Sequence, residues 1–162
     1  MMLQHGVIKT LSSPWASPIV LVSKRDGIGF CAEYQRFNTI MKTLAFPLPR
    51  IDACVDSLDE NQFFLTLDLM FGYWQVEMEP DSKEKSLFVT SKGCYQFYVM
   101  PFVLQNTPST FQRLLNTILG HLISHECLAY VEDILVLGKL FEEHLRNFQV
   151  LTEKIQLEAE AQ

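Results

Sequence analysis

Apolar and polar residues alternate over several short stretches of the chain, and elsewhere apolar residues recur at helical spacing. The predicted strands cover residues 19–22, 30–34, 62–69, 73–79, 86–90 and 94–99. The predicted helices cover residues 51–58, about 107–122 and about 141–159, with Pro108 in the first turn of the second helix. Because strands and helices fall largely into separate groups, we predict an α+β fold.

Two adjacent carboxylates, Glu132 and Asp133, lie between the apolar runs Cys127–Ala129 and Ile134–Leu137. This pattern predicts a tight β-hairpin with acid at its turn. Asp68 ends another apolar run, and pairing of the strands would bring it beside the hairpin in one antiparallel sheet. Neighbouring carboxylates repel each other, so they need solvent or a cation. We interpret the three acids as a divalent-metal site, for Mg²⁺ by preference, that suits phosphoryl or nucleotidyl transfer.

The composition is that of a globular domain with a single core. The chain has 162 residues, of which 48% are hydrophobic, and no apolar run reaches the length of a membrane span. Its first residues lack the pattern of a secretory signal, so we expect a cytoplasmic or nuclear protein that is neither secreted nor bound to a membrane. The four cysteines form no CxxC pair, so we expect reduced, mostly buried thiols and no zinc.

The net charge of −6 is unfavourable for a nucleic-acid-binding protein, but its distribution is uneven. Residues 1–50 carry six Lys and Arg against two acidic residues, whereas residues 51–162 carry seven against seventeen. A basic first section would suit phosphates, and an acidic remainder would suit metal. Ordinary solvated charge explains the distribution equally well.

Six motifs occur along the chain in a fixed order. They are SSPWASP at 12–18, FPLPRID at 46–52, TLDL and GYWQ within 66–75, VMPF to TFQ within 99–112, YVED at 130–133 and FEEHL at 141–145. Together they resemble the reverse transcriptase domain of gypsy-type LTR retrotransposon Pol polyproteins, and the resemblance runs nearly from end to end.

The resemblance implies a fingers-and-palm fold with an antiparallel palm sheet backed by helices. Residues 1–50 would form part of the fingers and residues 51–162 the palm, with the remaining fingers strands at about 80–100. We expect no thumb, RNase H, protease or integrase domain in this sequence.

The implied activity is RNA-directed DNA synthesis with Mg²⁺, for which Mn²⁺ would substitute. The resemblance assigns Asp68, Glu132 and Asp133 as catalytic metal ligands. The implied partners are an RNA template, a DNA primer and deoxynucleoside triphosphates, with the other Pol domains supplied in trans.

The resemblance also implies a nucleotide-binding set. Lys24 and Arg25 would contact triphosphate oxygens from a turn that Asp26 and Gly27 complete. Tyr73 would lie under the incoming sugar. Phe102 and Gln105 would lie near the nascent base pair.

Several positions depart from the family pattern. Glu132 replaces aspartate, Val103 replaces glycine, Phe71 replaces a small polar residue, and Gln35 replaces arginine. The fingers hairpin at 26–30 lacks the usual Trp-Arg. We therefore expect weak or no polymerisation by this chain. The alternatives are a decayed or domesticated copy that binds nucleic acid or protein without chemistry, and an unrelated α+β metal-binding domain.

Overall fold

The computed structural model describes residues 2–24 and 27–160. The strands are β1 Ile8–Thr10, β2 Ile19–Lys24, β3 Gly27–Ala32, β4 Phe63–Asp68, β5 Phe88–Thr90, β6 Gly93–Phe97, β7 Cys127–Tyr130 and β8 Asp133–Gly138. The helices are α1 Gln35–Ile40, α2 Ile51–Asp56, α3 Pro80–Lys83, α4 Thr107–Leu119 and α5 Phe141–Glu160. Short 3₁₀ helices cover Gly72–Gln75, Glu84–Ser86 and Gly120–Leu122. The α+β prediction is confirmed.

The predicted strand at 73–79 is wrong in its first half. Gly72–Gln75 forms a 3₁₀ helix, preceded by Phe71 in the left-handed conformation. After it, Glu77 forms a single antiparallel bridge with Val99, and Met78 N–H donates to Tyr98 O at 2.9 Å. Apolar and polar residues do alternate in this segment, but a β-strand also needs backbone hydrogen bonds to a neighbouring strand along its length. The elements β1, α1 and α3 were not predicted, and β3 lies earlier in the chain than expected.

The first compact unit comprises the described residues up to Thr43 together with Phe71–Thr107. It contains an antiparallel sheet in the order β1-β6-β5 and the hairpin β2–β3, in which Lys24 pairs with Gly27. Its core contains buried hydrogen-bonded polar groups as well as aromatic side chains. Ser86 is fully buried, donates to Lys83 O at 2.6 Å and accepts from Phe97 N–H at 3.0 Å. Tyr34 Oη donates to Ser86 O.

The second unit comprises Leu44–Met70 and the described residues from Pro108 onward. Its antiparallel sheet has the order β4-β8-β7. Ala129, Ile134 and Val136 are buried at 3%, 0% and 0% exposure, whereas alternate residues of β7 and β8 up to Leu135 are half-buried or exposed. Since side chains alternate between the faces of a sheet, one face is packed and the other is open at the β7–β8 turn.

Helices α4 and α5 pack within this second unit through apolar stripes that include Phe111, Leu115, Leu119 and Leu151, all buried. Asn147 of α5 donates from Nδ2 to Leu137 O of β8 at 2.9 Å.

The assignment of residues 1–50 to fingers and 51–162 to palm stays a prediction. None of the helices in the described part of the chain combines the length and the apolar character needed to cross a bilayer.

Candidate active site

Asp68 and Asp133 lie directly opposite each other at the ends of neighbouring strands. Asp68 is the last residue of β4, Asp133 is the first residue of β8, and the two are register partners in the antiparallel ladder. Directly opposed residues project from the same face, with Cα atoms about 4.5–5.5 Å apart. Both residues are exposed. The expected placement of Asp68 and the acidic hairpin on adjacent strands is therefore what the structure shows.

The acidic turn is as tight as a hairpin turn can be. Tyr130 pairs with Asp133, which leaves Val131 and Glu132 as a two-residue loop. Val131 has a φ of 56°, a backbone conformation that such loops often need but that a β-branched residue adopts with strain. A left-handed residue costs about 1–2 kcal/mol, so neighbouring groups must hold this turn in shape.

Two hydrogen bonds tie the loop to its surroundings. Val131 N–H donates to Oε1 of Gln112, on α4, at 2.8 Å. Leu69 N–H, directly after Asp68, donates to Glu132 O at 2.9 Å. The second bond continues the β4–β8 pairing by one step past Asp68, so the acidic loop is connected to the strand end that carries the third acid.

The donor chemistry of Asp68, Glu132 and Asp133 fits a divalent cation, because Mg²⁺ prefers carboxylate oxygens. Within residues 2–24 and 27–160, however, no group of three or more His, Cys, Asp and Glu side chains is arranged to hold a metal ion. The structure thus brings two acids to opposed positions, with the third acid next to one of them in the chain. The three-carboxylate metal site stays a prediction.

The predicted nucleotide-binding residues are only partly described. Lys24 is the last residue of β2, and Arg25 lies outside the described residues. Tyr73 is buried at 6% exposure and meets the Phe102 ring edge-on, with centroids 5.1 Å apart. Gln105 is exposed and donates from Nε2 to Thr43 Oγ1 at 3.1 Å. Their roles stay predictions.

The departures from the family pattern have visible structural consequences in the first unit. Phe71 adopts φ 57° and ψ 33° and stacks on Trp74, with centroids 5.0 Å apart and planes 4° apart. Its side chain remains 55% exposed. Val103, which stands where the family pattern has glycine, is not among the residues with positive φ in the described part of the chain. Its carbonyl accepts from Asn38 Nδ2 at 3.1 Å.

Sequence reasoning missed the role of Gln112 in this site. The residue belongs to the TFQ motif, but it lies within an amphipathic helix, where a single glutamine usually marks a solvent-facing position. In the structure its side chain is fully buried and accepts a hydrogen bond from Val131 N–H in the acidic turn. A buried polar residue needs a partner, and here the partner is the backbone of the turn.

Comparison with known proteins identifies the family. The family model described as reverse transcriptase (RNA-dependent DNA polymerase) matches residues 24–158. The chain therefore belongs to the reverse transcriptase family.

The similar curated proteins are much longer than this chain. It is 36% identical over 160 residues to the retrovirus-related Pol polyprotein from transposon 297 of Drosophila melanogaster, covering 95% of this chain and 15% of that protein. It is 31% identical over 157 residues to the Pol polyprotein from transposon gypsy of the same organism, covering 93% and 15%. The chain thus spans about one seventh of these relatives, and the resemblance to gypsy-type Pol polyproteins is confirmed.

Solved structures agree on the fold. A foamy viral protease–reverse transcriptase in complex with an RNA/DNA hybrid superposes with a TM-score of 0.87 at 21% identity, covering 96% of this chain and 21% of that one. The form named dRH, in complex with double-stranded DNA, gives 0.86 at 22% identity, covering 98% and 28%. At this identity the comparison shows the fold alone, and it confirms the predicted reverse-transcriptase-like architecture.

Proposed function

We propose that this chain is a polymerase catalytic fragment whose chemistry is RNA-directed DNA synthesis by metal-dependent nucleotidyl transfer. The observation that carries the proposal is that Asp68 and Asp133 lie directly opposite each other on the exposed face of the β4-β8-β7 sheet. Two exposed carboxylates at one sheet end offer hard oxygen ligands with room for a phosphate-bearing substrate. Family membership supplies the reaction class.

Asp68 and Asp133, with Glu132 beside them, would hold Mg²⁺ or, in its place, Mn²⁺. The bound cation would activate the primer 3′-hydroxyl and neutralise charge on the triphosphate. The chain's own part is to keep the two aspartates on paired strands, so that their separation is set by the ladder and not by a flexible loop. The loop between β7 and β8 then decides where Glu132 points.

The remaining predicted residues would bind substrate. Lys24 and Arg25 would contact triphosphate oxygens, and Tyr73, Phe102 and Gln105 would line the nucleotide position. An RNA template with a DNA primer is the proposed nucleic-acid partner. The basic balance of residues 1–50 supports it, as do the RNA/DNA and DNA complexes of the foamy viral enzymes. Further Pol domains acting in trans would add to the grip on the duplex.

We expect slow turnover. Glu132 stands where the family pattern has aspartate, and its side chain is one methylene longer. That adds about 1.5 Å, whereas a catalytic constellation tolerates about 0.5 Å of error. A misplacement of about 1 Å costs roughly 100-fold in rate.

Primer extension on an RNA template, with Mg²⁺ and then with Mn²⁺, tests the proposal. The wild-type chain should show weak, metal-dependent extension that Asp68→Asn abolishes. Asp56→Asn is the matched control, because Asp56 is an exposed carboxylate of the same unit at the end of α2. It should keep wild-type activity. The double substitution Glu132→Asp with Val103→Gly should raise the rate by about 100-fold. Extension that survives in Asp68→Asn would contradict the proposal.

The second candidate function is nucleic-acid binding without chemistry. The observation that favours it is glutamate at position 132, where the family pattern has aspartate. Under this alternative the chain binds an RNA/DNA duplex, Mn²⁺ titration gives no saturable site, and the double substitution restores no extension. Template-dependent primer extension that Asp68→Asn abolishes would exclude it.

A further inference from the structure

We infer that Gln112 is a positioning residue that holds the acidic turn in the shape that keeps Asp133 opposite Asp68. The inference deepens the proposed function and rests on it for its catalytic meaning. Gln112 does not reach substrate in this scheme. It acts through the backbone of the hairpin that carries two of the three acids.

Both polar atoms of the Gln112 side-chain amide have hydrogen-bond partners. Oε1 accepts from Val131 N–H at 2.8 Å. Nε2 donates to Ala129 O at 3.0 Å and to Asn116 Oδ1 at 2.9 Å. Both amide hydrogens are therefore used, and the residue has no exposed surface. A buried amide loses its solvation, so a position that served packing alone would be filled as well by leucine or methionine.

The bonds fall where the turn is strained. Ala129 is the last buried residue of β7 before the turn, and Val131 is the loop residue with positive φ. One planar amide thus bonds to the backbone on both sides of Tyr130. Because an amide is rigid, its two bonds fix the path of the chain into the turn. The next residues along that path are Glu132 and Asp133.

Asn147 provides a matched comparison within the same unit. It is also a buried helical amide, at 5% exposure, and donates to a backbone carbonyl of β8, the other strand of the acidic hairpin: the acceptor is Leu137 O, at 2.9 Å. Leu137 lies four residues after Asp133, about 13 Å along the strand. If Gln112 contributed only to the stability of the fold, its replacement would have the same effects as replacement of Asn147. If Gln112 positions the turn, its replacement should change the conformation of the turn specifically.

The test compares Gln112→Met, Gln112→Glu and Asn147→Leu with the wild-type chain. Gln112→Met keeps the length but removes every bond, whereas Gln112→Glu keeps an acceptor for Val131 N–H. The first readout is the amide hydrogen-exchange rate of Val131 relative to the amides of β8. The second is the affinity for Mn²⁺ alone, followed by electron paramagnetic resonance. Neither readout depends on polymerase activity, and a general loss of stability would change all the β8 amides together.

Gln112→Met should raise Val131 exchange and weaken Mn²⁺ binding, each by about tenfold, as expected for the loss of one buried hydrogen bond. Gln112→Glu should retain Val131 protection within about threefold. Asn147→Leu should leave both readouts near the wild-type values. The inference is overturned if Gln112→Met leaves Val131 exchange unchanged, or if Asn147→Leu changes it equally. Should the wild-type chain bind no Mn²⁺, the proposed function fails, while the exchange comparison still decides whether Gln112 holds the turn.

Discussion

Replacement of Gly138 by alanine should loosen the second unit where α5 approaches the sheet. Gly138 is the last residue of β8, the strand that begins with Asp133. A Cβ there would lie 2.5 Å from His144 Cβ, 2.7 Å from His144 Cα and 2.8 Å from His144 N. These are atoms that no rotamer change can move, so α5 itself would have to shift.

Overpacking of this kind costs about 1–3 kcal/mol. In a chain of this size each kcal/mol lowers the melting temperature by about 2–4 °C, so a fall of roughly 2–12 °C is expected. The loss should concentrate in the second unit. Both tryptophans, Trp15 and Trp74, belong to the first unit and report on it instead.

The assay is hydrogen exchange of the β4, β7 and β8 amides, measured beside tryptophan fluorescence during denaturation. Exchange in these strands should rise by at least about fivefold, since 1 kcal/mol is a factor of about five in an equilibrium constant. Addition of His144→Ala is the control. It should not rescue Gly138→Ala, because Cβ, Cα and N all remain. Wild-type exchange in Gly138→Ala, or full rescue by His144→Ala, would refute the reasoning.

Two further predictions concern buried polar groups. Burial, with a smaller contribution from the Glu126 charge, raises the pKa of the Cys127 thiol from 9.0 to about 12, so native Cys127 should resist iodoacetamide in peptide mass spectrometry. The folded pKa lies above the unfolded one, so its contribution to stability is complete below pH 9.0 and is lost as the pH rises toward 12. Cys127→Ala should flatten the alkaline decline seen in denaturant titrations. Ser86→Ala should lower the free energy of unfolding of the first unit by about 1–3 kcal/mol, because Phe97 N–H loses its acceptor in a buried site. A change under about 0.5 kcal/mol in unfolding followed by tryptophan fluorescence would count against this prediction.

The acidic hairpin could be predicted because its signals are local. Apolar runs on both sides of Glu132 and Asp133 predicted the two strands, and the structure has them as β7 and β8. The approach of Asp68 followed from a second apolar run that ends in acid. That Asp68 lies directly opposite Asp133 could not be predicted, because it depends on the register of β4 against β8. The alternation of side chains fixes which face each residue is on, and a shift of the register by two residues leaves that face unchanged.

Backbone conformation could not be predicted where the residue type argues against it. Phe71 and Val131 both adopt positive φ, and neither is a residue that favours it. At Phe71 this conformation precedes the 3₁₀ helix and removes half of the expected strand. At Val131 the backbone N–H donates to the side chain of Gln112 in α4, nineteen residues earlier in the chain. Such strain is visible only when the tertiary contacts that hold it are known.

The buried glutamine illustrates a second limit of pattern reasoning. Helical spacing identifies which residues share a face, but it cannot say that a polar residue at the border of that face is buried. Gln112 and Asn147 both lie in helices with clear apolar stripes, and both turn out to bond to sheet backbone. Only the position of the sheet reveals their partners.

The most direct test of the opposed carboxylates is a crystal of this chain soaked in Mn²⁺ and measured for anomalous scattering. We expect one anomalous peak within coordination distance, about 2.0–2.4 Å, of carboxylate oxygens from both Asp68 and Asp133. A well-ordered sheet with no peak between these two residues, or with their side chains on different faces, would contradict the account.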